Sequence, residues 1–419
     1  MPEIQPPPEG YFDGFGEVMP GPGYDPRSDG DVPDQDVLPL LRKNRKGSPV
    51  ASRMNTAIIL EKDPKFLDKI VTNEMDGMVY VDGKPICDEN ETWIKVWIEE
   101  VYGFQPADAH AGQAINAIGD KYKFHPLRDL LDGLKWDGKR RLQEMLPLAF
   151  GAENNALHRA YSWKWGLSAV ARAYQPGCKV DTTLILTGAQ GAGKSTAIQY
   201  LAMHDEWFCD ALFDIQRGLK DFYEVIQGVW LYEIGELDSF RGQDRTKIKA
   251  ILSGRTDAWR RPYGKRTVRL PRQCVFIGTT NDDRFLDDST GSRRFWPVPV
   301  GRIDLPWVLA NREQVWAEAV AAFKGGEQWW LDEREEAARV DAALDFEVLH
   351  PWFEKVAKWV EGRIEYTVAD VLEHALEKKP GTWKRADDNV VSDIIKSIGH
   401  VRKGRITREG KKVRVWGCP

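Results

Sequence analysis

The most constraining feature of the sequence is a glycine-rich loop between a predicted strand and a predicted helix. Residues 188–195 read Gly-Ala-Gln-Gly-Ala-Gly-Lys-Ser, after the apolar run 182–187 and before a helical pattern that continues to Met203. Glycines let backbone N–H groups turn inward toward phosphate oxygens, and the positive N-terminus of the following helix adds to this attraction. The loop therefore predicts a site for ATP and Mg²⁺, in which Lys194 reaches the β- and γ-phosphates and Ser195 ligates the metal. The residues expected to bind the nucleotide are Gly188, Ala189, Gln190, Gly191, Ala192, Gly193, Lys194, Ser195 and Thr196.

Two glutamates accompany the next buried strand. The apolar run from Val229 to Ile234 contains Glu233, and Glu236 follows its end. Residues just past the carboxyl end of a strand face the crevice where α/β proteins bind ligands. We expect Glu236 to orient the attacking water and Glu233 to bind Mg²⁺; the alternatives are exchanged roles, with Glu236 as the metal ligand, or plain surface carboxylates.

A polar residue ends the third predicted strand, and two arginines follow it. Asn281 comes directly after the strand that begins at Cys274, where its amide predicts a hydrogen bond to the γ-phosphate or to the attacking water. The alternative is an Asx turn. Arg293 and Arg294 precede two aromatic residues, and a held guanidinium can stabilise transition-state charge by about 10³-fold or more. An arginine that acts on the ATP of a neighbouring subunit requires an oligomer.

The order of predicted elements divides the chain into four segments. Residues 1–50 are rich in Pro and Gly and poor in apolar residues, which predicts a disordered tail. Residues 51–150 predict a mostly helical domain, in which Asp129, Asp132 and Asp137 are better explained as turn or capping residues than as metal ligands. Residues 151–345 alternate strands and helices, as a parallel sheet requires. Residues 346–419 predict two helices and a β-hairpin, the order of a winged-helix-like module.

Positive charge is concentrated in two late stretches, although the net charge of the chain is −5. In the first stretch, seven cationic residues accompany one acid, Asp257. The segment Tyr263–Lys265 predicts the tip of a hairpin, and cations on such a tip can neutralise DNA phosphates without reading sequence. The alternative is ion pairing between subunits around the ATP site. The seven are Arg255, Arg260, Arg261, Lys265, Arg266, Arg269 and Arg272. The residues expected to contact DNA are Arg260, Arg261, Lys265, Arg266 and Arg269.

The second basic stretch lies on the hairpin near the C-terminus. A basic wing beside a pair of helices suits contact with duplex DNA. The alternative is a solvated or partner-binding tail. The residues expected to contact DNA here are Arg402, Lys403, Arg405, Lys411 and Lys412, and Arg408 and Arg414 add to the charge.

Composition excludes several other classes of protein. No run approaches the ~18 apolar residues of a membrane span, and the acidic, Pro-rich N-terminus is not a signal peptide. The five cysteines lie far apart without metal-ligand spacing, which favours a reducing compartment. We therefore expect no membrane partner and a cytoplasmic location.

Together these motifs resemble the virulence-associated protein E family of phages and prophages over about residues 50–330. The matching text is Trp136–Gly138, Arg141–Leu142, the glycine loop, Trp230, Glu233–Leu237, Arg261–Gly264, Pro271–Asn281, Phe285–Leu286 and Thr290–Pro297. The resemblance implies a core of the AAA+ type, similar to superfamily 3 helicases, that assembles as a ring around DNA. By the same resemblance Lys194 and Ser195 are Walker A, Glu233 with Glu236 is Walker B, Asn281 is sensor 1, and Arg293 or Arg294 is the arginine finger.

The expected function is that of an ATP-hydrolysing DNA translocase or helicase in phage replication. Its expected partners are single-stranded or forked DNA, further copies of the chain in a hexameric ring, and a separate primase or other replication proteins, because the N-terminal 150 residues are too short to include a primase. One alternative is an initiator or loader ATPase that remodels a protein–DNA complex without unwinding. Another is a DNA-binding regulator without enzymatic activity, which the intact loop, acid, Asn and arginines disfavour.

Overall fold

The computed structural model describes residues 32–211, 219–236, 243–259, 267–286, 292–347, 350–379, 381–408 and 411–419. Within these ranges, no helix has both the length and the apolar character needed to cross a membrane.

The N-terminal part combines helices with a small sheet of strand order β3-β2-β1-β4. Its core contains Ile59, Leu60 and Ile98, and it also contains Val37 and Leu41. The described part of the predicted disordered tail, residues 32–50, is therefore partly folded, because these two apolar side chains pack into that core. The elements are α1 Arg53–Lys62, β1 Ile70–Asn73, β2 Val79–Val81, β3 Lys84–Pro85, α2 Asp88–Tyr102, α3 Asp108–Gly119, β4 Lys123–Phe124, α4 Pro126–Gly133 and α5 Met145–Phe150.

The central part is a five-stranded parallel sheet of order β11-β5-β10-β7-β6, covered by helices. This confirms the predicted α/β class with a parallel sheet. The elements are α6 Ala156–Tyr174, β5 Thr183–Thr187, α7 Lys194–Leu201, β6 Phe208–Cys209, α8 Leu219–Val225, β7 Leu231–Ile234, α9 Gln243–Leu252, β8 Thr256–Trp259, β9 Val268–Pro271, β10 Val275–Thr280, β11 Phe295–Pro299, α10 Leu305–Lys324 and α11 Glu333–Ala343.

Every residue of β5, β7 and β10 is buried. This is the burial expected of a parallel sheet whose two faces are both covered. The strand β11 was not anticipated, because its sequence Phe-Trp-Pro-Val-Pro contains two prolines; a strand at the edge of a sheet tolerates them. One hydrophobic core joins Leu146 and Phe150 to Tyr161 and Leu184, so the core spans the predicted domain boundary at 150–151.

The C-terminal part has a core of its own, which includes Val356, Ile395 and Trp416. Its three strands have the order β12-β14-β13. The predicted helix at 368–377 begins at Val368 and widens into a π-helical turn over Val371–Ala375. The elements are α12 Phe353–Val360, β12 Tyr366–Thr367, α13 Val368–Asp370, α14 Arg385–Ser397, β13 Val401–Arg408 and β14 Lys411–Gly417.

Candidate functional site

The register of the central sheet brings three loops to one edge. Strand β10 lies between β5 and β7, with Thr280 opposite Thr187 and Gly278 opposite Ile234. The glycine loop, the end of the acidic strand and Asn281 therefore meet at the carboxyl edge of the sheet, where α/β proteins bind ligands. They border a cleft of about 460 Å³. Its lining residues are Gln190, Gly191, Ala192, Gly193, Lys194, Ser195, Thr196, Asp210, Glu233, Gly235, Glu236, Thr279, Thr280 and Asn281.

Two glycines give the loop its shape. Gly193 caps helix α7 with φ 91°, a left-handed conformation that side chains with a Cβ rarely adopt. A Cβ on Gly188 would lie 2.9 Å from the carbonyl oxygen of Val300, which is too close for any residue but glycine. The loop is thus held against β11 at its start and opens into a helix N-terminus at its end.

The side chain of Lys194 is hydrogen-bonded to the backbone of the loop. Its Nζ donates hydrogen bonds to the carbonyl oxygens of Gly188 at 2.6 Å and Ala189 at 2.9 Å, and to Oδ1 of Asn281 at 3.3 Å. Burial lowers the pKa of Lys194, and the nearby charge of Glu233 partly offsets this. The predicted partners Lys194 and Asn281 are therefore in contact. Gly188 and Ala189 do not line the cleft but accept hydrogen bonds from the lysine.

Glu233 joins the acidic strand to the loop. Its Oε1 accepts hydrogen bonds from Ser195 Oγ at 2.8 Å and from Thr279 Oγ1 at 2.7 Å. The residue is only 3% exposed, and its Oε2 is buried without a hydrogen-bond partner. Burial raises the pKa of Glu233, and the charge of Asp210 adds to the rise, whereas the two hydroxyls and Lys194 lower it. A buried carboxylate oxygen with no partner, beside a serine hydroxyl, fits the oxygen ligands that Mg²⁺ prefers.

Glu236 lies at the other side of the same cleft, just past the end of β7. Its φ of 50° is left-handed. Such a conformation is uncommon for a residue other than glycine, and strained residues concentrate at functional sites. The two glutamates therefore occupy different places: Glu233 is at the serine hydroxyl, and Glu236 is in the loop beyond the strand.

The two arginines lie away from the cleft of their own chain. Phe295, which follows Arg294, is opposite Thr183, whereas Thr187 at the carboxyl end is opposite Pro299. Five residues at about 3.3 Å each place the arginines roughly 15 Å from the glycine loop, at the amino edge of the sheet. There Arg294 Nε donates a hydrogen bond to Ser253 Oγ at 3.0 Å. Strand direction therefore separates the arginines from the cleft of their own chain, and a role in a neighbouring subunit stays a prediction.

Sequence reasoning missed three side chains of the cleft, those of Asp210, Thr279 and Thr280. Asp210 follows β6, a strand of only two residues, which is too short to give a recognisable pattern. Thr279 lies within a run already read as an apolar strand, yet its hydroxyl contacts Glu233. A polar residue inside a buried strand was the available signal for Thr279.

A comparison with family models agrees with the sequence motifs. The model of the virulence-associated protein E-like domain matches residues 131–347. The chain belongs to the virulence-associated protein E-like family. The resemblance read from the motifs is thereby confirmed, and the family domain extends from α4 to the end of the short helix after α11. No curated protein matches the chain significantly.

Two solved structures of the C-terminal region of NrS-1, both covering residues 305–718 of that protein, are similar to the chain. The apo structure has a TM-score of 0.44 at 13% identity and covers 84% of this chain and 96% of that one. The A form has a TM-score of 0.46 at 14% identity with the same coverage.

Within the virulence-associated protein E-like domain, β8 and β9 form the two arms of the predicted basic hairpin. They pair antiparallel, with Asp257 opposite Leu270 and Trp259 opposite Val268. Arg269 is exposed on β9. The predicted tip, which contains Arg260, Arg261, Lys265 and Arg266, lies outside the described residues.

Two of the seven cations counted in this stretch hold the base of the hairpin. Arg272 has a fully buried side chain, and its Nη2 lies 2.6 Å from Oδ1 of Asp257. Arg255 Nε donates to the carbonyl oxygen of Gly177 at 2.7 Å. The single acid of the stretch therefore neutralises a buried arginine, and the hairpin exposes fewer cations than the sequence count indicated.

Beyond the virulence-associated protein E-like domain, the C-terminal hairpin β13–β14 exposes Arg402, Lys403 and Arg405. Arg402 stacks over the ring of Trp416, with 5.0 Å between its Cζ and the ring centroid. Arg405 is directly opposite Arg414. Lys411 and Lys412 belong to β14, but their side chains lie outside the described part of the chain.

Two of the three aspartates considered and set aside as metal ligands, Asp132 and Asp137, have other partners. Asp137 forms a two-pronged ion pair with Arg141, with both N–O distances 2.8 Å, which holds the pKa of Asp137 well below its usual range. Asp132 accepts hydrogen bonds from Tyr174 and Lys324. In the ranges that the structure describes, no three His, Cys, Asp or Glu residues are grouped so as to hold a metal by themselves.

Proposed function

We propose that the chain is a Mg²⁺-dependent P-loop ATPase of the AAA+ type that acts on DNA in phage replication, as a ring-forming translocase or helicase. The proposal rests above all on the contact between Ser195 and Glu233, with the second carboxylate oxygen of Glu233 buried and unpartnered. This pair joins the end of the glycine loop to the acidic strand, as cation binding at a phosphate loop requires.

The residues present fit a Mg²⁺–ATP complex. Ser195 Oγ and the Glu233 carboxylate would be the protein ligands for the metal, which prefers oxygen ligands. When bound, Mg²⁺ would neutralise charge on the β- and γ-phosphates. Lys194 would bind the same phosphates, and the N-terminus of helix α7 would attract them. Asn281, whose Oδ1 accepts a hydrogen bond from Lys194, would in turn contact the γ-phosphate or the attacking water.

The geometry favours one assignment of the two glutamates. Glu233 contacts Ser195, so it serves the metal, whereas Glu236 lies past the strand, where it can orient a water. This supports the roles expected from the sequence over the exchanged roles.

The position of Arg293 and Arg294 supports assembly into a ring. They lie at the amino edge of the sheet, away from the cleft of their own chain, so a role in hydrolysis calls for the nucleotide of another copy. We propose a hexamer in which each pair completes the site of its neighbour. We also propose that the C-terminal segment is a winged-helix-like module.

DNA binding is supported by the charge of the two hairpins. Like charges directly opposite each other on paired strands are destabilising, which applies to Arg405 and Arg414. A bound polyanion removes that repulsion, and we propose that nucleic-acid phosphates do so. A cytoplasmic location in the bacterial host and a separate primase complete the proposal.

The decisive experiment measures ATP hydrolysis with and without forked DNA, together with strand separation. A helicase hydrolyses ATP faster with DNA and separates the fork. Stimulated hydrolysis without strand separation would identify a loader or initiator instead. Hydrolysis that is absent under all conditions would contradict the ATPase itself.

A further inference from the structure

The side chains of the cleft have an unusual charge balance. Three carboxylates, those of Asp210, Glu233 and Glu236, line it with one cation, Lys194. Fully ionised, these four groups have a formal charge of −2. A triphosphate is itself strongly anionic, so this cleft repels the nucleotide unless a cation accompanies it. Two of the acids have proposed roles, and Asp210 has none.

The fold places Asp210 beside Glu233. Strand β6 pairs parallel with β7, with Cys209 opposite Tyr232. The residues that follow this pair, Asp210 and Glu233, are therefore neighbours. The hydroxyl of the buried Tyr232 donates a hydrogen bond to the carbonyl oxygen of Ala211 at 2.6 Å. The backbone is therefore held immediately before and immediately after Asp210. The side chain itself is exposed in the cleft, and its charge contributes to the raised pKa of Glu233.

We propose that Asp210 is a positioning residue for the metal. Its carboxylate accepts hydrogen bonds from the water ligands of a Mg²⁺ ion bound by Ser195 and Glu233. Mg²⁺ gives up water reluctantly and keeps several water ligands in nucleotide sites. Carboxylates that hold such outer ligands raise metal affinity, and their loss typically costs at least tenfold. The buried, unpartnered Oε2 of Glu233 independently marks this corner of the cleft as a cation site. The inference rests on the proposed ATP and Mg²⁺ binding and adds a third residue to it.

The test is Asp210→Asn in the full chain, with a fluorescent, non-hydrolysable ATP analogue as the probe. Analogue binding is titrated with Mg²⁺, and bound Mn²⁺ is measured by electron paramagnetic resonance. We expect the variant to need about tenfold more Mg²⁺ for half-maximal binding of the analogue and to bind Mn²⁺ correspondingly less tightly. Without metal, in EDTA, analogue binding is expected to be equal or tighter, because one repelling charge has been removed. Loss of a residue with a purely structural role would not change analogue binding differently with metal and without it.

Glu206→Gln is the matched control, because it removes one charge from an exposed residue of the same segment that does not line the cleft. Asp210→Glu keeps the carboxylate and should recover part of the metal affinity. The inference is overturned if Asp210→Asn and the wild type show the same Mg²⁺ dependence while both bind the analogue. If the wild type binds no analogue under any condition, the proposed function fails instead.

Discussion

Ser195 donates a hydrogen bond to Glu233 at 2.8 Å, although 38 positions separate the two residues in the chain. One belongs to the helix that follows the glycine loop, and the other belongs to strand β7. Their contact converts two separate motifs into one candidate metal site. It also supports the expected assignment of Glu233 to the metal over the exchanged roles that the sequence left open.

The first prediction separates those two glutamates. Glu233→Gln should weaken Mg²⁺-dependent binding of an ATP analogue, because the metal loses a charged ligand. Glu236→Gln should keep that binding and lower the hydrolysis rate by about 10²–10⁴-fold, the range for loss of a general base. Analogue titrations and single-turnover hydrolysis measure the two effects. The opposite pattern would mean that the roles are exchanged.

The second prediction concerns Lys194. Lys194→Ala removes the cation expected at the β- and γ-phosphates, so ATP hydrolysis should be abolished while the fold is retained. Hydrolysis assays measure the loss of activity, and circular dichroism checks that the fold is retained. Lys179→Ala, on a side chain that is 75% exposed, is the matched control and should hydrolyse ATP normally. Wild-type turnover in Lys194→Ala would remove the assignment of the loop.

The third prediction concerns the arginine pair. Arg293→Ala and Arg294→Ala should lower hydrolysis by about 10³-fold and spare nucleotide binding, as expected of a finger that acts on a neighbour. When either variant is mixed into wild-type assemblies, ATP hydrolysis should fall by more than the fraction of variant subunits. Ser253→Ala removes the hydrogen-bond partner of Arg294 while keeping its charge, so it controls for a local structural effect. Monomers that hydrolyse ATP at every concentration would contradict the shared site.

The fourth prediction concerns the tip of the basic hairpin between β8 and β9. Neutralising Lys265 and Arg266 together should weaken DNA binding uniformly across sequences and flatten its salt dependence by roughly one unit per lost phosphate contact. Basal ATP hydrolysis should survive, and its stimulation by DNA should fall. DNA affinity at several salt concentrations and the mass of the assembly are the measurements.

The control for this double variant is Lys179→Ala with Lys247→Ala, which removes the same charge from two exposed positions. If the tip residues pair between subunits instead, assembly and basal hydrolysis will fail while assembled rings keep their DNA affinity. An assembled double variant with unchanged affinity and salt dependence would rule out the DNA contact.

The fifth prediction concerns the base of the same hairpin. Asp257→Ala leaves the fully buried guanidinium of Arg272 without its counter-charge, which should cost about 3–5 kcal/mol of stability. The ion pair of Lys179, whose side chain is 75% exposed, with Asp181 should contribute under about 1 kcal/mol, so Lys179→Ala is the comparison. Urea unfolding followed by tryptophan fluorescence measures both. Equal unfolding midpoints for the two variants would show that the buried pair does not hold the hairpin.

Much of the site was predictable from short stretches of sequence. The glycine loop with Lys194 and Ser195 is contiguous, so its chemistry can be read directly, and the alternation of apolar strands with helices predicted the parallel sheet. The ordered set of motifs was sufficient to identify the family. In each case the information lies in neighbouring residues, where backbone geometry and periodicity act locally.

Strand order and register decided the rest. Asp210 joins the cleft only because a two-residue strand pairs with β7, and Arg293 and Arg294 are removed from it because β11 begins at the opposite edge. Arg272 counted as one of seven cations in the basic stretch, but folding places it in a buried ion pair with Asp257. Local sequence determines which residues form a strand or a loop. Which edge of the sheet each one reaches, and which distant side chain it meets there, depends on pairings between segments far apart in the chain, and these form only when the whole sheet packs.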